Sequence, residues 1–319
     1  MAVEFYKESR MEAIEAFLDD NFSAPTHWPE WNIVVSEYFK TGFFYWVCSE
    51  NGEIIGICPV HKQNNLFTIQ YATGPREFLL PFGGWIFKRS YNFTSHSVNL
   101  SIAQALTGFT LPCIDEFHVT YSNIKKNDYC TIIVDLRKEL DRIWQEDISS
   151  KRRNMVRKAE KNNVRIVIDD KKDLSTFHSY LKNANIEYGL GTPENIFFER
   201  LFLNSRKVKF DILWAIKDNS ILGGLVLAMD KNYALYWLGI GIKESGNFGQ
   251  GELLQWHAIQ NAKRNGCSYY DLCSVEKERL PNIYEFKKDF SRWEVHNYFL
   301  NEKTFSYRLF NKLEGLLIL

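Results

Sequence analysis

The sequence has no excess charge of either sign: 39 Lys and Arg stand against 39 Asp and Glu. That balance excludes a chain-wide field that draws in polyanions, so any grip on nucleic acid has to be local. There is no C-x-x-C pair among the six cysteines (Cys48, Cys58, Cys113, Cys130, Cys267, Cys273) and no histidine at zinc-ligand spacing, which argues against a metal centre. No signal-peptide pattern opens the chain, so the thiols are expected to stay reduced, as small buried apolar groups of a cytoplasmic protein. No apolar run approaches the ~20 residues that a membrane-crossing helix needs. What is there is 319 residues, 45% hydrophobic and 15% aromatic, enough for two domains with a core each.

Two segments read as one unit used twice, FYWVCSENGEIIGICPVHKQNNLFTIQYATG at 44–74 and DILWAIKDNSILGGLVLAMDKNYALYWLGIG at 211–241. Each has an aromatic-rich strand, a polar turn, a strand containing Gly, another turn and a third strand with Tyr or Trp. Asn51 aligns with Asp218 and Gly56 with Gly223 without a gap, and a duplication is the most economical explanation of that spacing. Helices are expected before the first unit (RMEAIEAFLDDNF), after it (SHSVNLSIAQALTGF), over 140–163 and 173–204, and over GELLQWHAIQNAKRNG, which stops on a Gly. CSYYDLCSV reads as a short buried strand. The plan is α+β, divided near residues 135–141.

The run SKRRNMVRKAEKNN at 150–163 carries six basic side chains and one acidic. Continuing from LRKELDRIWQEDIS, it reads as a helix with an apolar stripe at Leu140, Trp144, Ile148, Met155, Val156 and Ala159. Arg152 falls in that stripe, whereas Arg153, Arg157 and Lys161 form a polar face. An arginine on a buried stripe needs an anion. A buried Asp or Glu would serve, and so would a substrate phosphate or diphosphate held by the planar fork of donors.

In GNFGQGELLQWHAIQNAKRNG, Gly249 and Gly251 precede a helix whose first amides can face an anion, although glycines also serve plain turns. The hexapeptide Gly246–Gly251 resembles the Gln/Arg-x-x-Gly-x-Gly loop by which GNAT acyltransferases hold the pyrophosphate of coenzyme A, except that Gly246 stands at the Gln/Arg position. In PNIYEFKKDFSRWEVHNYFL, Phe286, Phe290 and Trp293 follow a helical or bulged-strand spacing, with Lys287 directly after an aromatic residue. The last segment, FSYRLFNKLEGLLIL, places Phe305, Leu309, Leu313, Leu316 and Leu317 on one helical face, expected to dock on the protein's own core, with a membrane surface as the alternative.

Three patterns together resemble the Fem-type peptidyltransferases (the FemABX family) and the wider FemAB-like acyltransferases: Trp144 followed by Lys151–Arg153 and Arg157–Lys161; a helix and strand ending in Gly-x-x-x-Tyr-Asp at Gly266–Asp271; and Phe286-Lys287. The resemblance is best over about 130–300. KDFSRW stands where KxxFG or KxWG is common, and there is no long coiled-coil insertion. The resemblance implies two tandem GNAT-like domains with mixed, largely antiparallel sheets flanked by helices. The expected division is 1–140, with the helix at 300–319 packing back on it, and 141–299, with the catalytic site.

It further implies an enzyme that moves an aminoacyl or acyl group onto an amine of a cell-envelope precursor, a peptidoglycan-type stem peptide or a surface glycan. The donor would be aminoacyl-tRNA or acyl-CoA, with no tightly bound cofactor. Partners would be tRNA and a phosphorylated, UDP- or lipid-linked precursor, with a peripheral membrane contact and no transmembrane segment. Lys287 would stabilise the oxyanion and Phe286 shape the channel. Arg152, Tyr188 and Trp237 would bind substrate, and Gly249 and Gly251 the donor phosphates. Asp115, Glu187, Asp271 and Glu285 are candidate bases. The rivals are an acyl-CoA-dependent N-acetyltransferase of polysaccharide or lipid synthesis, a non-enzymatic RNA-binding module and a scaffold with a decayed site.

Overall fold

A computed structural model describes residues 3–73, 81–94, 98–114, 119–122, 126–169, 174–187, 191–242 and 246–317. Tyr188 and Asp115 lie outside the described residues. In chain order the elements are β1 (Val3–Glu8), α1 (Met11–Asp20), α2 (Pro29–Phe39), β2 (Gly42–Glu50), β3 (Glu53–Asn64), β4 (Ile69–Ala72), β5 (Ile86–Phe87), β6 (Tyr91–Thr94), β7 (Gln104–Phe109), β8 (Val119–Ser122) and β9 (Lys126–Asp135). There follow α3 (Leu140–Arg142), α4 (Ser150–Lys161), β10 (Arg165–Asp169), α5 (Leu174–Glu187), α6 (Asn195–Asn204), β11 (Lys209–Lys217), β12 (Ser220–Met229) and β13 (Tyr233–Gly241). The chain continues with α7 (Gln250–Arg264), β14 (Tyr269–Asp271), β15 (Val275–Glu276), α8 (Pro281–Lys288), β16 (Trp293–Lys303) and α9 (Phe305–Leu317). It forms two compact units, 1–129 with 296–319, and 130–295. The chain passes from one to the other within β9 and again within β16, each time ahead of the expected divisions at 140 and 300.

Each unit repeats one strand plan. In the first the order is β1-β2-β3-β4-β7-β16, antiparallel except for the parallel pair β4–β7. In the second it is β10-β11-β12-β13-β14-β9, antiparallel except for β13–β14. The likeness extends to single residues. Asn51 and Gly52 have φ of 52° and 79°, and Asp218 and Asn219 have 49° and 62°, so both hairpins turn through two left-handed residues, which matches the twist of the strands. In each the register then shifts at the same place, before the pairs Cys48↔Gly56 and Ala215↔Gly223. At both positions only hydrogen fits: a Cβ on Gly56 would lie 2.3 Å from the Phe87 ring, and one on Gly223 2.8 Å from the Ile240 carbonyl oxygen.

The parallel pairs are made differently. In the second unit the crossover from β13 to β14 is α7, as a parallel connection ordinarily requires. In the first unit the helix expected over 95–109 is absent from the described part of that segment. Gln104–Phe109 is β7, laid against β4 and β16, and Ala103 before it has φ 56°. Strand pairing on both edges outweighed the helical spacing of its apolar residues.

Two other helices differ from expectation. The stretch 140–163 is not continuous: after α3 and a wide turn at Ile143–Asp147, Ile148 is extended, and Ser149 caps α4 by accepting the Arg152 amide at 3.3 Å. Arg153 Nη1 donates to the carbonyls of Trp144 and Gln145 at 3.1 Å and to that of Ile148, closing the frayed end. α9 packs on the first unit through Tyr307, Phe310 and Glu314, whereas Phe305, Leu309 and Leu313, the face expected to dock, are exposed. The core of the second unit lies between its sheet and α4 and α7, with Val156, Ala159, Leu213, Leu225, Leu253, Ala258 and Ile259 among its buried members.

Candidate active site

The second unit opens where β13 and β14 part. They pair over Tyr233–Leu235 and Tyr269–Asp271 only. Just past that point β13 carries a bulge: Leu227 faces Tyr236 and Val226 faces Leu238, so Trp237 is the extra residue. An extra residue bends the strand and sharpens its twist, which carries β13 away from β14.

Lys287, on α8, points its ammonium into this fork. Nζ donates to the carbonyl oxygen of Cys273, just beyond β14, at 2.9 Å, and lies 5.9 Å from the centre of the Tyr236 ring, just beyond the paired part of β13. The side chain is buried. Burial pushes its pKa below the ordinary lysine value, opposed by Cys273, Asp271 and Cys130. Burial likewise pushes the Tyr236 phenol up to about 12, so it stays a neutral donor.

Asp271 holds the fork from behind. Its Oδ1 accepts from the Thr131 hydroxyl and from the Cys273 amide at 2.7 Å, and its Oδ2 from the Tyr233 hydroxyl at 2.6 Å. Burial raises its pKa, while those hydrogen bonds and Lys287 pull the other way. The Cys273 peptide thus bridges a carboxylate on its N–H side and an ammonium on its C=O side, with Cys273 itself in the left-handed region at φ 64°, a conformation that costs energy without glycine. Asp271 therefore positions Lys287 through one residue. Of the other candidate bases, Glu285 is exposed and pairs with Lys288 at 2.6 Å.

Arg152 is buried as the stripe implied, with Val156 and Ala159 on the same face. Its partners are protein groups. Nη1 meets Glu252 Oε1 at 2.7 Å, Nη2 meets the Glu285 carbonyl at 3.4 Å, and Nε lies 3.2 Å from Asp289 Oδ2, an ion-pair distance without hydrogen-bond alignment. The guanidinium also covers the Phe286 ring at 4.6 Å. It joins α4, α7 and α8, which is the salt-bridge alternative of the two that the sequence left open. Phe286 is half-buried and meets Phe290 edge-on at 5.3 Å. Trp237 is buried against Phe198 and Phe210, with centroids 5.9 and 6.0 Å away, a core placement.

The glycine loop is folded on itself. The Phe248 amide donates to Gln250 Oε1 at 2.9 Å, the Gly249 amide to Asn247 Oδ1 at 3.1 Å, and Gln250 Nε2 to the Gly246 carbonyl at 2.8 Å. Lys158, from the basic run, donates to the Asn247 carbonyl at 2.7 Å. Gly249 caps α7 at φ 88°, and a Cβ there would stand 2.2 Å from the Met155 carbonyl oxygen. Gly249→Ala is therefore expected to cost about 2–3 kcal/mol, from the positive φ and the forced retreat of α4. Urea unfolding checks it, and an unchanged midpoint would refute the close contact.

Residues 149–288, which hold Arg152, the glycine loop and the whole Lys287 fork, match the family described as acetyltransferase (GNAT) domain. Over these residues, less than half of the chain, the sequence is similar to the GNAT acetyltransferases, and this similarity supports an acyltransferase enzyme. Solved structures share this chain's fold at low identity. The crystal structure of FemX is 12% identical with a TM-score of 0.69, covering 98% of this chain and 100% of that one. A C-terminal domain (DUF2156) described as that of a lysylphosphatidylglycerol synthetase from Agrobacterium fabrum is 10% identical with a TM-score of 0.54, covering 97% and 95%. L-PGS from Bacillus licheniformis is 12% identical with a TM-score of 0.51, covering 97% and 96%. No curated protein matches this sequence. The expected α+β fold of two tandem GNAT-like domains and the FemAB-like resemblance both stand.

Tyr236, Cys273, Tyr233 and Thr131 were not singled out in the sequence. Thr131 meets Asp271 across 140 residues, and no local spacing announces such a pair. Tyr236 precedes a bulge, which sequence alternation alone does not mark.

Proposed function

We propose that the protein transfers an aminoacyl group to an amine of a cell-envelope precursor, and that Lys287 stabilises the tetrahedral oxyanion. The observation that carries this reading is the buried ammonium in the fork of β13 and β14. An amine attacking an acyl ester makes a carbon–nitrogen bond as the carbonyl oxygen gains negative charge. The leaving oxygen departs with the electron pair of the old bond and takes up the proton that the amine gives up. The ammonium of Lys287 uses one of its three donors on Cys273, which leaves donors for that oxygen. Phe286, beside Arg152 and α7, lines the acyl channel in this reading.

An aminoacyl-tRNA donor is supported by the self-capped glycine loop, since the amides of Phe248 and Gly249 are taken by Gln250 and Asn247 rather than presented to a pyrophosphate. The names of FemX and of the lysylphosphatidylglycerol synthetases also favour aminoacyl transfer. The second reading is an acyl-CoA donor, favoured by the family match itself, in which Gly249 and Gly251 at the N-terminus of α7 face the donor phosphates. Thermal unfolding in the presence of acetyl-CoA, aminoacyl-tRNA or UDP-linked muropeptide separates them: a ligand at a hundredfold its Kd stabilises by about 2.7 kcal/mol. A shift with acetyl-CoA and none with aminoacyl-tRNA would overturn the first reading.

A further inference from the structure

The first unit carries an apolar surface that its core does not use. On α9, Phe305 is 83% exposed, and Leu309 and Leu313 follow at four-residue intervals, also exposed. Two loops bring further apolar side chains to the same helix. The Leu66–Phe67 turn is tied to it by Glu314, whose carboxylate accepts the Phe67 amide and, at 2.8 Å, the Thr68 hydroxyl. Ile102, 82% exposed, precedes Ala103, whose amide donates to Ser306 at 2.8 Å. Leu66 is 72% exposed and Phe67 about half. Phe305, Leu309 and Leu313 thus form an exposed apolar stripe along α9, of the kind that marks an interaction site.

Charge decides the occupant. Arg308 and Lys312 lie one turn apart along one flank of the Phe305–Leu309–Leu313 stripe, and both are exposed. The acidic residue on the described helix, Glu314, is buried and satisfied on the opposite side. An apolar stripe flanked by cations, on a surface helix, is the pattern of a segment lying in an anionic lipid interface: the stripe enters the acyl boundary and the cations meet headgroup phosphates.

We propose that this face docks the protein on the surface of an anionic membrane. The docking goes beyond acyl transfer and does not depend on which donor is used. The test is sedimentation of the full chain with vesicles of phosphatidylcholine alone or mixed with phosphatidylglycerol. Binding is expected to the mixed vesicles and to weaken with added salt. Phe305→Ser with Leu309→Ser is expected to abolish it, and Arg308→Glu with Lys312→Glu to weaken it about tenfold or more. All four side chains are exposed, so unchanged thermal unfolding will show that the variants fold. Absence of binding to the mixed vesicles, or binding equal in the serine variant, would overturn the proposal. So would a concentration-dependent dimer that the serine variant abolishes without any vesicle binding, which would assign the face to a second copy.

Discussion

Lys287→Met is expected to leave a folded protein whose kcat is lower by about 10²–10³-fold, the roughly 2.7–4 kcal/mol that one oxyanion donor contributes. Met matches the length of the lysine stem and is at ease in a buried site, so the variant tests the charge rather than the packing. The pH profile separates this role from a structural one. The oxyanion donor must be protonated, and burial holds the Lys287 pKa below the ordinary lysine value. Wild-type turnover should therefore fall on the alkaline side before a free lysine would titrate, and the Met variant should lack that limb. Stability moves oppositely. Between the lowered folded pKa and the unfolded value near 10.4 the unfolded chain binds more protons, so stability rises with pH, and Met removes that rise. Near-normal kcat in a stable Met variant would dismiss the assignment.

The first unit is expected to lose about 6 kcal/mol of stability between pH 7 and pH 4, about 3 from each of two histidines. His27 and His61 are both held down to about 4 by burial. Each sits in a site built for the neutral ring: His27 Nε2 meets the Gly84 carbonyl at 3.1 Å, and His61 Nε2 meets Asn32 Oδ1 at 3.0 Å, with Asn32 fixed by the carbonyls of Thr26 and Trp28. From the ordinary value of about 6.5 down to about 4 the unfolded chain takes up protons that the folded chain refuses, so stability falls as pH falls through that window. Glu8, held down to about 2 by Arg10, gives way only below about 4.5. Urea unfolding at steps from pH 7 to pH 4 checks the slope, and His61→Gln should remove about half of it. A flat profile across the window would refute the neutral, buried state.

Local and repeated patterns were the legible part of the sequence. The two hairpins align residue for residue, down to the left-handed turn pairs and the bulge at Gly56 and Gly223, because a β-turn of that type and a Cβ-free contact leave few residues to choose from. The burial of Arg152 followed from helical spacing. Its partner did not, since Glu252 is 100 residues away and spacing says nothing about distant carboxylates. The break at Ile148–Ser149 was hidden because Ser149 as a cap and Ser149 as a mid-helix residue read alike until tertiary packing chooses. The exposed face of α9 was read as inward because an amphipathic helix has one apolar stripe by composition. Here Tyr307, Phe310 and Glu314 make a second contact surface, and the buried carboxylate, which hydropathy assigns to water, is the residue that docks.

That latch has a thermodynamic side. A free amphipathic peptide is a coil in water and pays the entropy of helix formation when it meets lipid. With Glu314, Ser306 and Phe310 already seating it, α9 has met that cost during folding. Membrane association then leaves helix content unchanged, so far-ultraviolet circular dichroism should be the same with and without vesicles.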